Sequence, residues 1–344
     1  MTAAVVFLAL AANPGSTTCL AARPPSAAAL TQAVAHPPAP EPQALAVIHT
    51  EGTLPHTGIH DESAAAVRDF GYLLDLALAW RDTQDAEALA RLVTYLDAWV
   101  QRYRPSFDPI DETNLASLIV AYRLTAADLP ALTAQRTQAF IQQLALGYLQ
   151  RMEAHRGDVR GVWGNNWQSH RIKLVTLAAS ALNDPALFAR ARAAFVAQLS
   201  ANLQPNGEVR DFAERDALHY VVYDLEPLVL AAAVAQGQGE DWLRLPGAEG
   251  QTLAVALDWL LPFAQGQRQH EEFRHSQVRF DAQRAAAGLP GFSGVWDPKG
   301  AKALYWSASL LDPRYVAVAR QLGAAPPRAL WAYAPPCSGQ VGGR

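Results

Sequence analysis

From Asp61 onward, apolar residues recur three and four positions apart, as in Phe70, Leu73, Leu74, Ala77 and Leu78. That spacing lays one apolar stripe along a helix, and no stretch shows the sustained alternation of a half-buried strand. The pattern predicts helices over about 61–82, 85–103, 112–126, 131–152, 167–181, 184–203, 216–236, 249–263, 276–287 and 301–321. Breaks at Arg104-Pro105, Asn183-Asp184-Pro185, Pro205-Asn206-Gly207 and Leu289-Pro290-Gly291 separate them, because these residue types end helices and favour turns. Short connections make successive long helices antiparallel. The chain therefore reads as all-α, a series of helical hairpins arranged as an incomplete (α/α) toroid or barrel. Loops at one end of such a ring line a cleft, where function concentrates.

The pattern is different before Asp61. Residues 14–42 are rich in Pro, Ala and Ser without a sustained period and read as a linker, and Ala46-Val-Ile-His49 reads as a short extended piece. Ahead of them, Met1 to Ala12 is an apolar run followed by small residues, like a secretory leader that lacks a preceding Lys or Arg. The expected organisation is a leader-like segment and linker over 1–43, a toroid domain over 44–325, and a flexible Pro- and Gly-rich tail over 326–344. The leader points to a periplasmic or secreted protein. Its apolar run is too short to span a bilayer, and no membrane partner is expected. Cys19 and Cys337 fall in the terminal segments and read as structurally minor, with a disulfide between them left open.

Half the residues are apolar, which supplies a large core, and the abundance of Ala and Leu favours helix. With 28 basic and 32 acidic residues, nothing in the overall charge attracts nucleic acid or an anionic membrane. A polyanionic partner must then meet a local basic cleft. The sequence has no P-loop, dinucleotide glycine fingerprint or Gly-x-Ser-x-Gly elbow, so no cofactor is expected. His49, Glu51, His56 and His60 lie close together, but not at the His-Glu-x-x-His spacing of a helical zinc pair, and no metal is expected.

Two segments concentrate chemical groups. In Trp163-Gly-Asn-Asn-Trp-Gln-Ser-His-Arg171, one of Asn165 and Asn166 caps a helix and the other faces the cleft. His170 lies four residues beyond Asn166, on the same helical face. An ordinary cap with an aromatic anchor accounts for the cluster about as well. In the second segment, Arg215, His219 and Tyr223 follow at four-residue steps with Tyr220 beside them, so one helix end presents guanidinium, imidazole and phenol. Such a set suits abstraction of the weakly acidic C5 proton of a uronate, followed by loss of the C4 oxygen. Asn166, His170 and Arg215 would neutralise the carboxylate as enolate-like charge develops. Tyr220, with its pKa lowered by nearby cations, would take the proton and, where both groups share a ring face, return it to the leaving oxygen.

Other polar segments suit a cleft wall. His49, Glu51 and His56 lie in one loop, and Glu112 and Asn114 in the Asp111-Glu-Thr-Asn114 segment, where helix capping is an equal explanation. In the His270–Phe280 segment, followed by Arg284, Arg274 and Arg279 offer forks for carboxylates. Asn165, Trp167, Arg171, His219 and Tyr223 complete the candidate substrate contacts.

The Asn165-Asn166 pair and the Ala217-Leu-His-Tyr220 helix, running on through Tyr223 to Pro227-Leu228, resemble the alginate lyase superfamily of α/α-toroid polysaccharide lyases. The resemblance extends from Val47 to about Tyr315. It implies that Tyr220 is base and acid, that Asn166 neutralises the carboxylate, and that the substrate is an acidic polysaccharide, alginate of the polymannuronate type or glucuronan. Trp167 stands where the family has His after the Asn pair, and Ala213 where it has Arg; His170 and Arg215 are the expected replacements. Two other readings stand beside this one. One is a glycoside hydrolase on a similar toroid, pairing Asp111 or Glu112 with Asp224 or Glu226. The other is a glycan-binding protein without turnover.

Overall fold

The computed structural model describes residues 19–334 and Cys337; the leader run from Met1 to Ala12 lies outside the described residues. Among the described residues there are α-helices and short 3-10 turns but no strand. The helices are α1 (Ala27–Ala35), α2 (His60–Ala66), α3 (Arg68–Thr83), α4 (Ala86–Arg102), α5 (Leu115–Thr125), α6 (Ala131–Ala154) and α7 (Asn166–Ala181). They continue as α8 (Pro185–Asn202), α9 (Arg210–Arg215), α10 (Leu218–Gly237), α11 (Leu253–Ala264), α12 (Arg279–Ala286), α13 (Lys302–Leu311) and α14 (Val316–Leu322).

Consecutive packing of α3, α5, α7, α10 and α13 makes an inner row, and α4, α6, α8, α11 and α14 lie outside it. The sequence explains the division. Outer α4 and α8 each bury one stripe, Leu92, Leu96 and Trp99 in one and Leu187, Ala191, Phe195 and Leu199 in the other. Inner α7 is buried on every side from Ser169 to Ala181. Inner α10 is long and apolar enough to cross a membrane by length and composition, yet 78% of it is buried inside the ring. Because inner and outer helices alternate, the inner ones run in the same direction and bring their N-termini to one end. The positive ends of their helix dipoles gather there.

Caps set the element boundaries. The carboxylates of Asp85 and Asp184 accept from the first backbone N–H groups of α4 and α8, with Pro185 opening α8, and the Thr252 hydroxyl accepts from Val255 at the start of α11. The helix predicted over 301–321 is divided at Asp312-Pro313, where the Asp312 carboxylate accepts from Arg314 N at 3.1 Å and starts a new turn.

The chain ends depart from the predicted boundaries. Ala27–Ala35 is helical rather than linker: Ser26 caps α1, Leu30 and Val34 are buried, and Tyr72 Oη donates to Val34 O at 2.7 Å. The folded unit thus begins well before residue 44. A helix of only nine residues in an alanine-rich stretch shows too little of its apolar stripe to be read from pattern. The described part of the tail predicted to be flexible, residues 326–334, also packs. Arg328–Ala332 forms a 3-10 turn, Leu330 and Trp331 are buried, and Arg81 Nη1 donates to Trp331 O at 2.6 Å. Arg320 of α14 donates to Ala21 O at 2.7 Å, and Cys19 is disulfide-bonded to Cys337. The two terminal segments therefore bridge from α14 to α3, the two ends of the series.

Candidate active site

At the N-terminal end of the inner helices lies a cavity of about 150 Å³ lined by Glu51, Ile110, Asn166, Trp167, Arg215, His219, Tyr220, Tyr223, Arg284 and Phe292. Tyr220 lines it from the first turn of α10 and is 7% exposed. Arg284 Nη1 of α12 donates to its Oη at 2.7 Å, and the Arg215 guanidinium lies 3.9 Å from its ring centroid. Burial nevertheless holds the Tyr220 pKa above the ordinary value of 10.0; Arg215 and Arg284 pull it down, while Asp281 and Glu51 push it up. The lowered pKa expected from sequence is thus overridden by desolvation, and the phenol is protonated at neutral pH. His219 opens onto the same cavity beside it. Burial among its neighbours and the two arginines hold its imidazole below the usual histidine value.

The Asn pair divides its labour. Asn165 is the cap: its Oδ1 accepts from Trp167 N at 3.1 Å. Asn166 lines the cavity, with its backbone N and its Nδ2 both donating to the buried Asp211 carboxylate, at 2.8 and 2.7 Å. Arg215 ends α9, where Nη1 donates to Asp281 Oδ1 at 2.5 Å and Nε lies 3.8 Å from Asp211 Oδ1. Glu51 reaches the cavity from its loop and sits 3.7 Å from Arg284 Nη2. Glu272 fixes the start of α10 by accepting from Leu218 N at 2.7 Å and His219 N at 3.0 Å, and so fixes the height of Tyr220.

Several predicted site residues serve elsewhere. His170, one turn deeper than Asn166, is buried behind Tyr223, with ring centroids 4.5 Å apart, and its Nδ1 pairs with Thr113 Oγ1 at 2.8 Å. Burial holds its pKa well below normal, and it is not among the residues that line the cavity. Arg171 is 3% exposed, donates to Val162 O at 2.7 Å and stacks 4.0 Å from the Trp163 ring; it anchors the loop before α7. His49 Nδ1 pairs with Asp111 Oδ2 at 3.0 Å, outside the cavity lining. Exposed His56 pairs with Asp61 at 2.5 Å, and Asn114 is exposed outside the lining. Arg274 is exposed and paired with Glu271 at 3.0 Å; Arg279 is exposed at the start of α12. Of that segment's arginines, Arg284 enters the cavity.

The carboxylates of the hydrolase reading are structural. Asp111 Oδ1 accepts from Thr50 N at 2.7 Å and Glu51 N at 2.8 Å, pinning the loop that carries Glu51. Glu112 is fully buried and accepts from Ser106 N at 2.6 Å, Tyr103 Oη at 2.8 Å and Tyr148 Oη. Asp224 accepts from Ser169 Oγ at 2.6 Å and Asn202 Nδ2 at 2.5 Å, joining α10 to α7 and α8. Burial raises Glu226 to about 7 against the opposing pull of Lys173, and it lies outside the cavity lining. Among the described residues no group of three or more His, Cys, Asp or Glu side chains is arranged to hold a metal.

Fold and site together define a polysaccharide lyase of the helical-toroid class, with phenol, amide and two guanidinium groups gathered where the inner helices begin. The chain belongs to the alginate lyase family, whose family model matches residues 21–270. Among solved structures, an alginate lyase from Bacteroides ovatus superposes with a TM-score of 0.61 at 16% identity, over 84% of this chain and 78% of that one. Alginate lyase A1-III from Sphingomonas species A1 gives 0.53 at 18% identity, over 79% and 84%. A variant of alginate lyase A1-III complexed with tetrasaccharide gives 0.54 at 20% identity, over 79% and 84%. No curated protein sequence matches.

Proposed function

We propose that this lyase cleaves a uronate-containing polysaccharide, alginate rich in mannuronate, by β-elimination with Tyr220 as proton-transfer residue. The observation that carries this reading is Tyr220 Oη bonded to Arg284 at 2.7 Å in one cavity with Asn166 and Arg215. A uronate carboxylate placed against Asn166 and the guanidinium groups would have its charge offset as the C5–H bond weakens. Tyr220, as phenolate, takes the C5 proton. The C4–O bond then breaks, a C4=C5 double bond forms, and the phenol returns its proton to the departing O4. This use of one residue on one ring face suits mannuronate, in which hydrogen and leaving oxygen are syn. The names of the three structural relatives, all alginate lyases and one of them complexed with tetrasaccharide, support the substrate class.

Location outside the cytoplasm, in the periplasm or medium, belongs to the same proposal. The Cys19–Cys337 disulfide supports it, because such bonds persist in oxidising compartments. Elimination leaves an unsaturated end that absorbs in the ultraviolet. A rise in absorbance on polymannuronate tests the reaction, and new reducing ends without absorbance would instead indicate hydrolysis.

A further inference from the structure

We infer that Asp211 is a positioning residue that sets the Asn166 amide and the Arg215 guanidinium as a joint receptor for the substrate carboxylate; this role rests on the lyase reading above. Asp211 has no solvent exposure, and a carboxylate buried that completely is costly unless hydrogen-bonded donors offset its desolvation. Both oxygens are committed to one residue: Oδ2 accepts from Asn166 N and Oδ1 from Asn166 Nδ2. A carboxylate can only accept, so this pairing dictates which end of the amide faces Asp211. The amide cannot rotate to leave its oxygen there. The second N–H of Nδ2 remains for the cavity that Asn166 lines.

Arg215 is one helical turn on from Asp211, with Nε 3.8 Å from Oδ1, so one short helix delivers both groups to the site. That helix is itself tied down. Asn202 Oδ1 accepts from Arg210 N at 3.4 Å, Glu214 O accepts from Gln277 N at 2.9 Å, and Asp216 O accepts from Phe273 N at 2.8 Å. In contrast, none of these ties requires an acid at position 211. The acid is explained by its two bonds to Asn166 and its approach to Arg215.

The groups facing Asp211 are Asn166 from α7, Arg215 and Glu214 from its own helix, and Asp224 from α10. Burial, with Glu214 adding to it, raises the Asp211 pKa above the ordinary 3.8, while the Asn166 bonds and Arg215 oppose that rise. Protonating Asp211 removes one acceptor from the pair and frees the amide to turn. Activity carried by this arrangement therefore falls on acidification at a pH above the ordinary aspartate range.

The test is a kinetic cycle of wild type, Asp211→Asn, Asn166→Ala and the double variant on polymannuronate, with kcat and KM followed across pH. Asp211→Asn is expected to lower kcat by about 10- to 100-fold, the loss of one charged hydrogen bond, with a smaller change in KM. The Tyr220-dependent climb with pH is common to all four proteins, but the steeper fall that Asp211 adds on the acid side of it in wild type should disappear in Asn166→Ala, and adding Asp211→Asn to that variant should cost little more. Equal kcat in wild type and a folded Asp211→Asn, or strictly additive losses, would overturn the role while leaving the lyase reading intact. If Asp211→Asn does not fold, the wild-type and Asn166→Ala profiles decide: an equally steep fall on the acid side in both overturns the proposal. No absorbance rise with wild type overturns the lyase reading and this role together.

Discussion

Tyr220 lies between two guanidinium groups and still has a raised pKa, because burial outweighs both positive charges. The sign has a kinetic consequence. If phenolate is the base, its share below the pKa grows with pH, so kcat/KM on the polymer should climb through the neutral range to about pH 9 without a plateau. An initial-rate pH profile checks this, and a plateau near neutrality would mean that another group takes the proton. At this scale the sequence pointed, through motif and spacing, to three groups that the structure gathers in one cavity, Asn166, Arg215 and Tyr220. It misplaced His170, because four-residue spacing gives a shared face but not depth: Asn166 is at the helix tip, and one turn further in the helix is enclosed. Arg284 escaped for a different reason. It is 64 residues from Tyr220 in sequence and lies on a helix whose polar composition reads as a solvated face.

Helices hold the site by what they cap. The Glu272 carboxylate accepts the first two backbone N–H groups of α10, where the helix dipole also favours a negative group. Glu272→Ala should cost about 1–3 kcal/mol, the penalty for leaving buried donors unmatched. It should also lower kcat, since Tyr220 is in the turn that loses its anchor. Thermal melting and initial rates on the same sample test both; an unchanged melting temperature would show that the α10 start is held by packing alone. The long helices were legible because apolar positions recur over three or more turns. Helices α1 and α9 were not, since nine and six residues give no sustained period and their placement depends on distant partners.

For the whole molecule, the inner row begins at α3 and ends at α13, and the terminal segments join the two sides. The Cys19–Cys337 bond links residues 318 apart, so it constrains nearly the entire unfolded chain. Cys19→Ser should lower stability by about 2–4 kcal/mol and leave the rate at ambient temperature near wild type, because the bond lies outside the cavity that Tyr220 lines. Denaturant melts paired with activity assays would show this, and lost activity in a still-folded variant would contradict it. The toroid itself was legible from the run of antiparallel helices. The strap that its terminal segments make between the two ends of the series was not, because it depends on contacts between the two ends of the chain that no local pattern encodes.

The most direct measurement of the central claim is ultraviolet absorbance over time on polymannuronate, with wild type and Tyr220→Phe side by side. The account predicts a steady rise with wild type and a rate lower by about 10²–10⁴ with Tyr220→Phe, which keeps the ring and removes only the proton-transferring oxygen. Equal rates from the two proteins would show that Tyr220 does not move the proton.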